Sequence, residues 1–393
     1  MLWRGERLTK SDLAFALFIA AAILTSVLIP GHWILGDAGN TPKSATQNVV
    51  RTKGTVISVD NSDVKQYGMV KTGEQTVEAK VEKGDFSGRR IKATNILMGK
   101  LELDKMFSEG DKVLLALSLH PEDGHIVDAT AVDHYRIDKE KILVAVFVVL
   151  LVIFAGWTGA KAVLSFVFAG VLIWKVLLPA FLAGWDPVLI AFGVVSLLTF
   201  VIIFLIGGLN LRGLVAFIGS MTGVGLTAVF AITFGQLMKI HGAVKPFAET
   251  LLYSGYGHLN LTSIFLAGIF LASSGAVMDI GMDIAASMAE VKAKRPSIGI
   301  LEHIRSGLTV GRAIIGTMTT TLLLAYSGGY TTLLMVFMAQ GTPGVNILNL
   351  TYVAAEILHT MVGSFGLVLV APATAIVGGF IYARWQPQLS EAT

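Results

Sequence analysis

Three carboxylates follow one another at helical spacing in the second half of the chain: Asp279, Asp283 and Glu290. They come directly after the apolar run Leu261–Met278, which is long enough to cross a bilayer. Residues four and seven apart share one helix face, so we expect the three side chains on one face. An ionised carboxylate at hydrocarbon depth is costly unless it is paired or used. Asp279 and Asp283 therefore predict a cation-binding or proton-relay site.

An alternative is that the bilayer ends near Met278, which would leave Asp279 and Asp283 in interfacial water. Arg312 or Arg305, on the next helix, would then pair with them. Because an arginine is expensive in lipid, we expect Arg312 to pair with the two aspartates.

A second constellation is Glu356 and His359, three residues apart in the last apolar stretch. This spacing puts both side chains on one helix face, as in Glu-x-x-His metal-ligand pairs. A di-iron site needs two such motifs and two further Glu residues, and the sequence has one motif. A structural Glu–His hydrogen bond is the alternative. Together with Asp279 and Asp283, the pair forms the predicted cation or proton site.

Neutral polar residues in neighbouring segments are predicted to line a path to this site. They are Thr319, Thr320, Asn346 and Asn349. A threonine in a membrane helix also bonds readily to its own preceding turn, which is the alternative interpretation.

Composition limits the class of protein. Apolar residues make up 54% of the chain and charged residues 15%, and the mean hydropathy is +0.70. These values indicate a polytopic α-helical membrane protein. The net charge of +3 has no dense basic tract, which argues against nucleic-acid binding. The chain has no cysteine and no recognisable P-loop or His-Glu-x-x-His motif, so we predict no enzyme and no cofactor beyond an inorganic cation.

The N-terminal apolar run, Leu13–Pro30, is interpreted as a retained membrane anchor rather than a cleaved signal peptide. It follows Arg4, Arg7 and Lys10, and basic flanks favour the cytoplasmic side. Residues 1–38 are thus predicted to be a cytoplasmic N-terminus and the first transmembrane helix.

Residues 39–139 hold a large share of the charges and are predicted to form an extracytoplasmic domain. Short alternating segments separated by Gly, Asp and Asn are typical of a small, OB-like β-barrel. The predicted strands are Val49–Val59, Glu74–Val81, Arg90–Leu97, Asp111–Ser118 and Ile126–Val132.

Residues 140–385 are predicted to form the transmembrane domain, with about eight membrane segments in the whole chain and a polar tail at 386–393. The candidate segments are Ile142–Trp157, Ala162–Leu182, Pro187–Gly208, Gly213–Met238, Leu259–Met278, Leu308–Tyr326, Thr331–Gln340 and Ile347–Ala383. Thr331–Gln340 is short and precedes Gly341-Thr-Pro-Gly344, so it is either a full span or a re-entrant half-helix.

Three long motifs in the same order resemble the YibE/F-like membrane protein family: Ser273–Glu290, Gly311–Gly329 and Glu356–Pro372. The resemblance covers about residues 140–385 and, in outline, the anchor and barrel before them. It implies a multi-pass protein of the bacterial inner membrane with an extracytoplasmic N-terminal β-domain. The sequence departs from the family at Ala313, where the resemblance implies an acidic residue.

Two functions from different classes remain open. The leading hypothesis is a secondary transporter or ion-conducting permease for an inorganic cation or a proton-coupled small solute. The alternative is a non-transporting scaffold or assembly factor whose external barrel binds a partner. A membrane-embedded metalloenzyme is a third possibility. The expected partners are the lipid bilayer, a second copy in a homo-oligomer and a ligand of the β-domain.

Overall fold

The computed structural model describes residues 10–28, 49–121 and 123–384 of the 393-residue chain. The chain divides into two compact units, one of residues 40–151 and one of residues 1–39 together with 152–393. The second boundary between the two units lies at Leu151, inside a helix.

The described residues of the first unit form six strands, which are β1 (Val49–Asp60), β2 (Val64–Tyr67), β3 (Val70–Val81), β4 (Arg90–Met98), β5 (Lys112–Leu119) and β6 (Ile126–His134). The five predicted strands are all present. The additional strand, β2, forms a hairpin with β3 in which Tyr67 lies opposite Val70.

Five of these strands close into a barrel. β1 pairs with β5 on one side and with β3 on the other, and β3 continues to β4. β5 pairs with β6, and a parallel contact between Thr94 and Thr130 joins β4 to β6. This connection closes the sheet, as in the small five-stranded Greek-key barrels, and confirms the predicted β-barrel.

A polar network lies inside the barrel beside its apolar core. Gln75 and Asn95 are fully buried. The Asn95 amide donates to Gln75 Oε1 at 3.0 Å, and the same oxygen accepts from the Phe107 N–H at 3.0 Å. Buried polar groups are costly without partners. These bonds therefore fix the loop before β5 against the barrel wall.

Three charged side chains tie β1, β5 and the end of β3 together. Lys53 contacts Glu82 at 3.1 Å, and Lys112 forms a second ion pair with the same carboxylate. Hydrogen bonds from Lys112 and Thr55 lower the pKa of Glu82 to about 2, because they stabilise its ionised form.

The α-helices in the described part of the chain are α1 (Lys10–Leu28), α2 (Ile137–Leu172), α3 (Leu178–Leu182), α4 (Pro187–Gly207), α5 (Leu211–Leu237), α6 (Ala248–Tyr253), α7 (Leu261–Lys294), α8 (Ile300–Ala339), α9 (Gly344–Asn349) and α10 (Thr351–Ala383). Side-chain caps begin three of the long ones, and Asp186 Oδ1 accepts from the Leu189 N–H at the start of α4. Asn210 Oδ1 accepts from the Gly213 N–H at the start of α5, and Asn260 does the same for Ser263 at the start of α7.

α2 continues through a π-helical turn, Ile173–Leu177, into α3. Gly156 interrupts it with φ 56° and ψ −128°, a conformation that only glycine adopts without strain. The interruption lies at the end of the first of the two segments predicted here, Ile142–Trp157 and Ala162–Leu182.

Six helices among the described residues are long and apolar enough to cross a membrane, and Leu13–Thr25 is a shorter apolar helix. The predicted count of about eight is not confirmed. Treating Thr331–Gln340 as a separate segment is wrong, because it belongs to the 40-residue helix α8. The helix continues through Gly328 and Gly329, and Thr331 Oγ1 donates to the Ser327 carbonyl across this point at 2.6 Å.

In the core of the helical unit, α5, α7, α8 and α10 approach one another closely at glycine residues. A Cβ on Gly219 of α5 would lie 2.8 Å from the Cα of Thr374 on α10. On α8, a Cβ on Gly311 would lie 2.8 Å from the Cβ of Ala371. Small residues at such contacts let membrane helices approach closely, because lipid supplies no hydrophobic force between them.

Replacing Gly219 by alanine should destabilise the helical unit, because the new methyl group meets the backbone of α10. Overpacking a core costs about 1–3 kcal/mol. Gly225→Ala in the same helix is the matched control, since its Cβ would meet only Phe192 at 3.9 Å. We expect Gly219→Ala to lower the thermal midpoint in detergent and Gly225→Ala to leave it unchanged or raise it. Equal midpoints for the two variants would contradict this packing.

Candidate functional site: a cavity bordered by α8 and α10

The acidic face predicted on α7 is present. Asp279, Asp283 and Glu290 all lie on the exposed side of the helix, opposite the buried residues that pack against the core. Glu290 pairs with Lys294 one turn later, at 3.2 Å. Within the described chain, neither aspartate has an ion pair.

The predicted pairing of Arg312 with the aspartates is not observed within the described residues. Arg312 is exposed on α8 and makes no ion pair there. The preceding residue, Gly311, is the one that faces the core, where its Cβ position lies 3.2 Å from Ile284. One residue of helix turns a side chain by about 100°, so Arg312 points away from that contact.

The predicted neutral path residues are exposed, and none of them lines the cavities described below. Thr319 Oγ1 donates to the Ile315 carbonyl of its own preceding turn at 2.6 Å, which is the back-bonding alternative. The other three members of this set are Thr320, Asn346 and Asn349, and no side-chain hydrogen bond links them to Thr319.

The second predicted constellation is brought together. Glu356 and His359 share one face of α10, with the carboxylate 3.8 Å from His359 Nδ1. The ring of Tyr326, on α8, stacks on the imidazole at a centroid distance of 4.3 Å and an interplanar angle of 18°. Lys245 completes the cluster, because its Nζ atom lies 2.5 Å from Glu356 Oε1.

Sequence reasoning missed Lys245. It lies in the connection between α5 and α6, 111 residues before Glu356, and no spacing pattern links the two. One indication of this contact is present in the sequence: a lysine beside apolar helices needs an acidic partner, and Glu356 is the carboxylate of the last apolar stretch.

The loop that carries Lys245 is held tightly against the start of α7. It begins with a 3-10 turn, Gly242–Val244, whose first residue donates its N–H to Thr262 Oγ1 at 3.2 Å. A Cβ on Gly242 would lie 1.8 Å from the Leu261 carbonyl oxygen, so no larger residue fits this position. Two residues after Lys245, Phe247 takes a left-handed conformation with φ 62°, which is uncommon outside glycine.

These side chains border a cavity of about 640 Å³. Its polar or aromatic lining residues are Lys245, Phe247, Glu249, Thr250, Tyr326, Tyr330, Tyr352, Glu356 and His359. A second, more apolar cavity of about 450 Å³ is lined by Leu261, Ile264 and Phe265, and it shares Lys245 and His359 with the first. Both volumes lie in the range of small-molecule binding sites.

His359 has an unusual environment at this wall. Both of its ring nitrogens are shielded from solvent, and neither has a hydrogen-bond partner in the described residues. Leaving a buried polar group without a partner costs about 1–3 kcal/mol. An imidazole that borders a cavity in this state is suited to bind a ligand or to exchange a proton with one.

Comparison with known proteins supplies the family. The model described as YibE/F-like protein matches residues 143–384, and the YibE/F family N-terminal domain matches residues 48–134. The chain belongs to the YibE/F-like family. No curated protein and no solved structure matches it.

The resemblance seen in the sequence is thereby confirmed, and the chain is a multi-pass membrane protein of this family. The N-terminal match coincides with the β-barrel, and the longer match contains Lys245, Tyr326, Glu356 and His359. The cluster is thus part of the membrane domain shared by the YibE/F-like family.

Separate removal of either partner of the Lys245–Glu356 pair should destabilise the YibE/F-like domain more than removal of both. Their side chains are 36% and 23% exposed, so each single variant leaves a partly desolvated group without its counter-charge. We expect Lys245→Met and Glu356→Gln to lower the thermal midpoint, with a coupling energy of about 1 kcal/mol in the double-mutant cycle. Thermal midpoints of the wild type, both single variants and the double variant in detergent measure this coupling. Strictly additive effects would contradict an interaction between Lys245 and Glu356.

Proposed function

We propose that this YibE/F-like protein is a secondary transporter that binds a small polar solute beside His359 and moves it together with a proton. The proposal rests on the buried imidazole, which has no hydrogen-bond partner among the described residues and lies at the wall of a cavity of about 640 Å³ in the membrane domain. A bound solute or water would satisfy it.

The Lys245–Glu356 pair suits proton coupling in this proposal. While Glu356 is ionised, it holds Lys245 at 2.5 Å, and the ammonium is not free to bind solute. The ion pair favours the ionised carboxylate, so a proton that binds Glu356 has to displace Lys245. The freed ammonium then binds a polar or anionic group of the solute. His359, 3.8 Å from the same carboxylate, is placed to receive or return the proton.

Asp279 and Asp283 remain in the proposal as a second cation or proton site. Both are exposed near the middle of α7, where uncovered carboxylates would face lipid at high cost. We therefore propose a homo-oligomer in which another copy covers this face and completes the path.

The proposed location is the bacterial inner membrane, with the N-terminus in the cytoplasm and the β-barrel outside. The basic residues Arg4, Arg7 and Lys10 before the first apolar helix support this orientation. We propose a transporter rather than an enzyme.

The second candidate is a scaffold whose barrel binds a partner. Large apolar side chains exposed on the barrel favour it, among them Met69 at 83%, Ile96 at 63% and Leu101 at 65% exposure. Surface groups of this kind are typical of interaction sites when they are contiguous.

Flux assays in proteoliposomes separate the two functions. With a proton gradient and a panel of small polar solutes and cations, the wild-type protein should give flux that Glu356→Gln and His359→Gln reduce to the level of empty liposomes. The Asp279→Asn/Asp283→Asn double variant tests the second site in the same way. Glu302→Gln is the matched control, because this carboxylate pairs with Arg295 outside the cavity. Flux that is unchanged in all variants would contradict the proposed site, and absence of any wild-type flux would favour the scaffold.

A further inference from the structure

Two histidines and an aspartate converge at the turn between β5 and β6, in the barrel. His125 Nδ1 lies 2.6 Å from Asp123 Oδ1, and His120 Nδ1 lies 3.1 Å from the same oxygen. One ligand atom from each residue lies within 4.8 Å of the other two. No part of the proposed transport function uses this cluster.

The backbone of the turn holds the three residues together. The His120 N–H donates to the His125 carbonyl at 2.9 Å, and the Gly124 N–H donates to the His120 carbonyl at 3.1 Å. Gly124 has φ 69°, which tightens the turn as a glycine permits. The two imidazoles consequently stack, with a centroid distance of 5.0 Å and an interplanar angle of 17°.

One atom of the cluster has no adequate partner of its own. His120 Nδ1 is shielded from solvent and makes no hydrogen bond within the described residues, although Asp123 Oδ1 is close. The carboxylate already accepts from the His125 N–H at 3.3 Å and contacts the His125 ring. A metal ion among the three residues would satisfy this nitrogen.

The spacing suits such an ion. Zinc binds imidazole nitrogen and carboxylate oxygen at about 2.0–2.2 Å, so neighbouring ligand atoms in a tetrahedron lie about 3.3 Å apart. The separations of 2.6 and 3.1 Å need only small side-chain rotations to reach this value. Imidazole ligands select Zn²⁺, Cu²⁺ or Ni²⁺ over the hard cations Mg²⁺ and Ca²⁺.

We propose that His120, Asp123 and His125 form a binding site for one divalent transition-metal ion, of which Zn²⁺ and Cu²⁺ are the best candidates. The two Nδ1 atoms and one carboxylate oxygen are the protein ligands, and water completes the coordination. The opposing interpretation is an ordinary Asx turn, in which Asp123 only accepts hydrogen bonds.

Metal titration of the full chain tests the site. The protein is purified in detergent with a tag that has no histidines, stripped with a chelator and titrated with ZnCl₂ or CuCl₂. Wild type should bind one ion per chain at this site, and Asp123→Asn or His125→Gln should weaken that binding by roughly tenfold or more. His241→Gln is the matched control, because His241 is exposed and lies outside the cluster and both cavities. Variants that bind like wild type, or no binding by wild type, would overturn the proposal.

Hydrogen exchange locates the ion independently of any variant. Zinc should slow exchange of wild-type peptides from the β5–β6 hairpin and leave peptides around Glu356 and His359 unchanged. The same effect should be absent in Asp123→Asn, whose exchange without metal reports whether the barrel has folded. Protection by zinc only outside the hairpin would overturn the assignment, even if the variants proved unstable.

Discussion

Close backbone contact between α5 and α10 is the constraint on which the membrane domain depends. A bilayer gives apolar helices no reason to associate through hydrophobic burial, so packing has to supply the attraction. Gly219 meets Thr374 of α10, and Gly311 of α8 meets Ala371 of the same helix, both at distances that exclude a larger side chain. These contacts fix the rotation of α10. That rotation in turn determines which of its residues face the core and which face the cavity.

The candidate site follows from this rotation. Glu356 and His359 lie near the start of α10, where Tyr326 of α8 stacks on the imidazole and the loop before α6 delivers Lys245. A buried imidazole without a hydrogen-bond partner among the described residues, next to a carboxylate that an ammonium already holds, is a costly arrangement for stability alone. This free-energy cost is expected at a binding site, where a solute supplies the missing hydrogen bonds. Inside the barrel, Gln75 and the Asn95 amide nitrogen have hydrogen-bond partners, whereas Asn95 Oδ1 has none among the described residues.

Local patterns determined what could be predicted from the sequence. Alternation and turn residues identified five of the six strands, and three long motifs identified the family. The pairing of Glu356 with His359 followed from helical spacing, but Lys245 did not, because a contact across 111 residues leaves no periodic signal. The break predicted near Tyr330 was wrong, because α8 continues through Gly328 and Gly329 without an interruption. The Ser-Gly-Gly sequence there is typical of a loop, so local pattern alone was misleading at this point.

The proposed function requires that the cavity beside His359 is open to water-borne solutes within the membrane domain. Because the chain has no cysteine, single cysteines can report on this directly. Leu333 lines the cavity, whereas Leu324, on the same helix, is 70% exposed outside both cavities and is expected to face lipid. A charged, membrane-impermeant thiol reagent added to vesicles should modify Leu333→Cys and leave Leu324→Cys unreacted. Equal or absent reaction at both positions would contradict a water-accessible binding cavity.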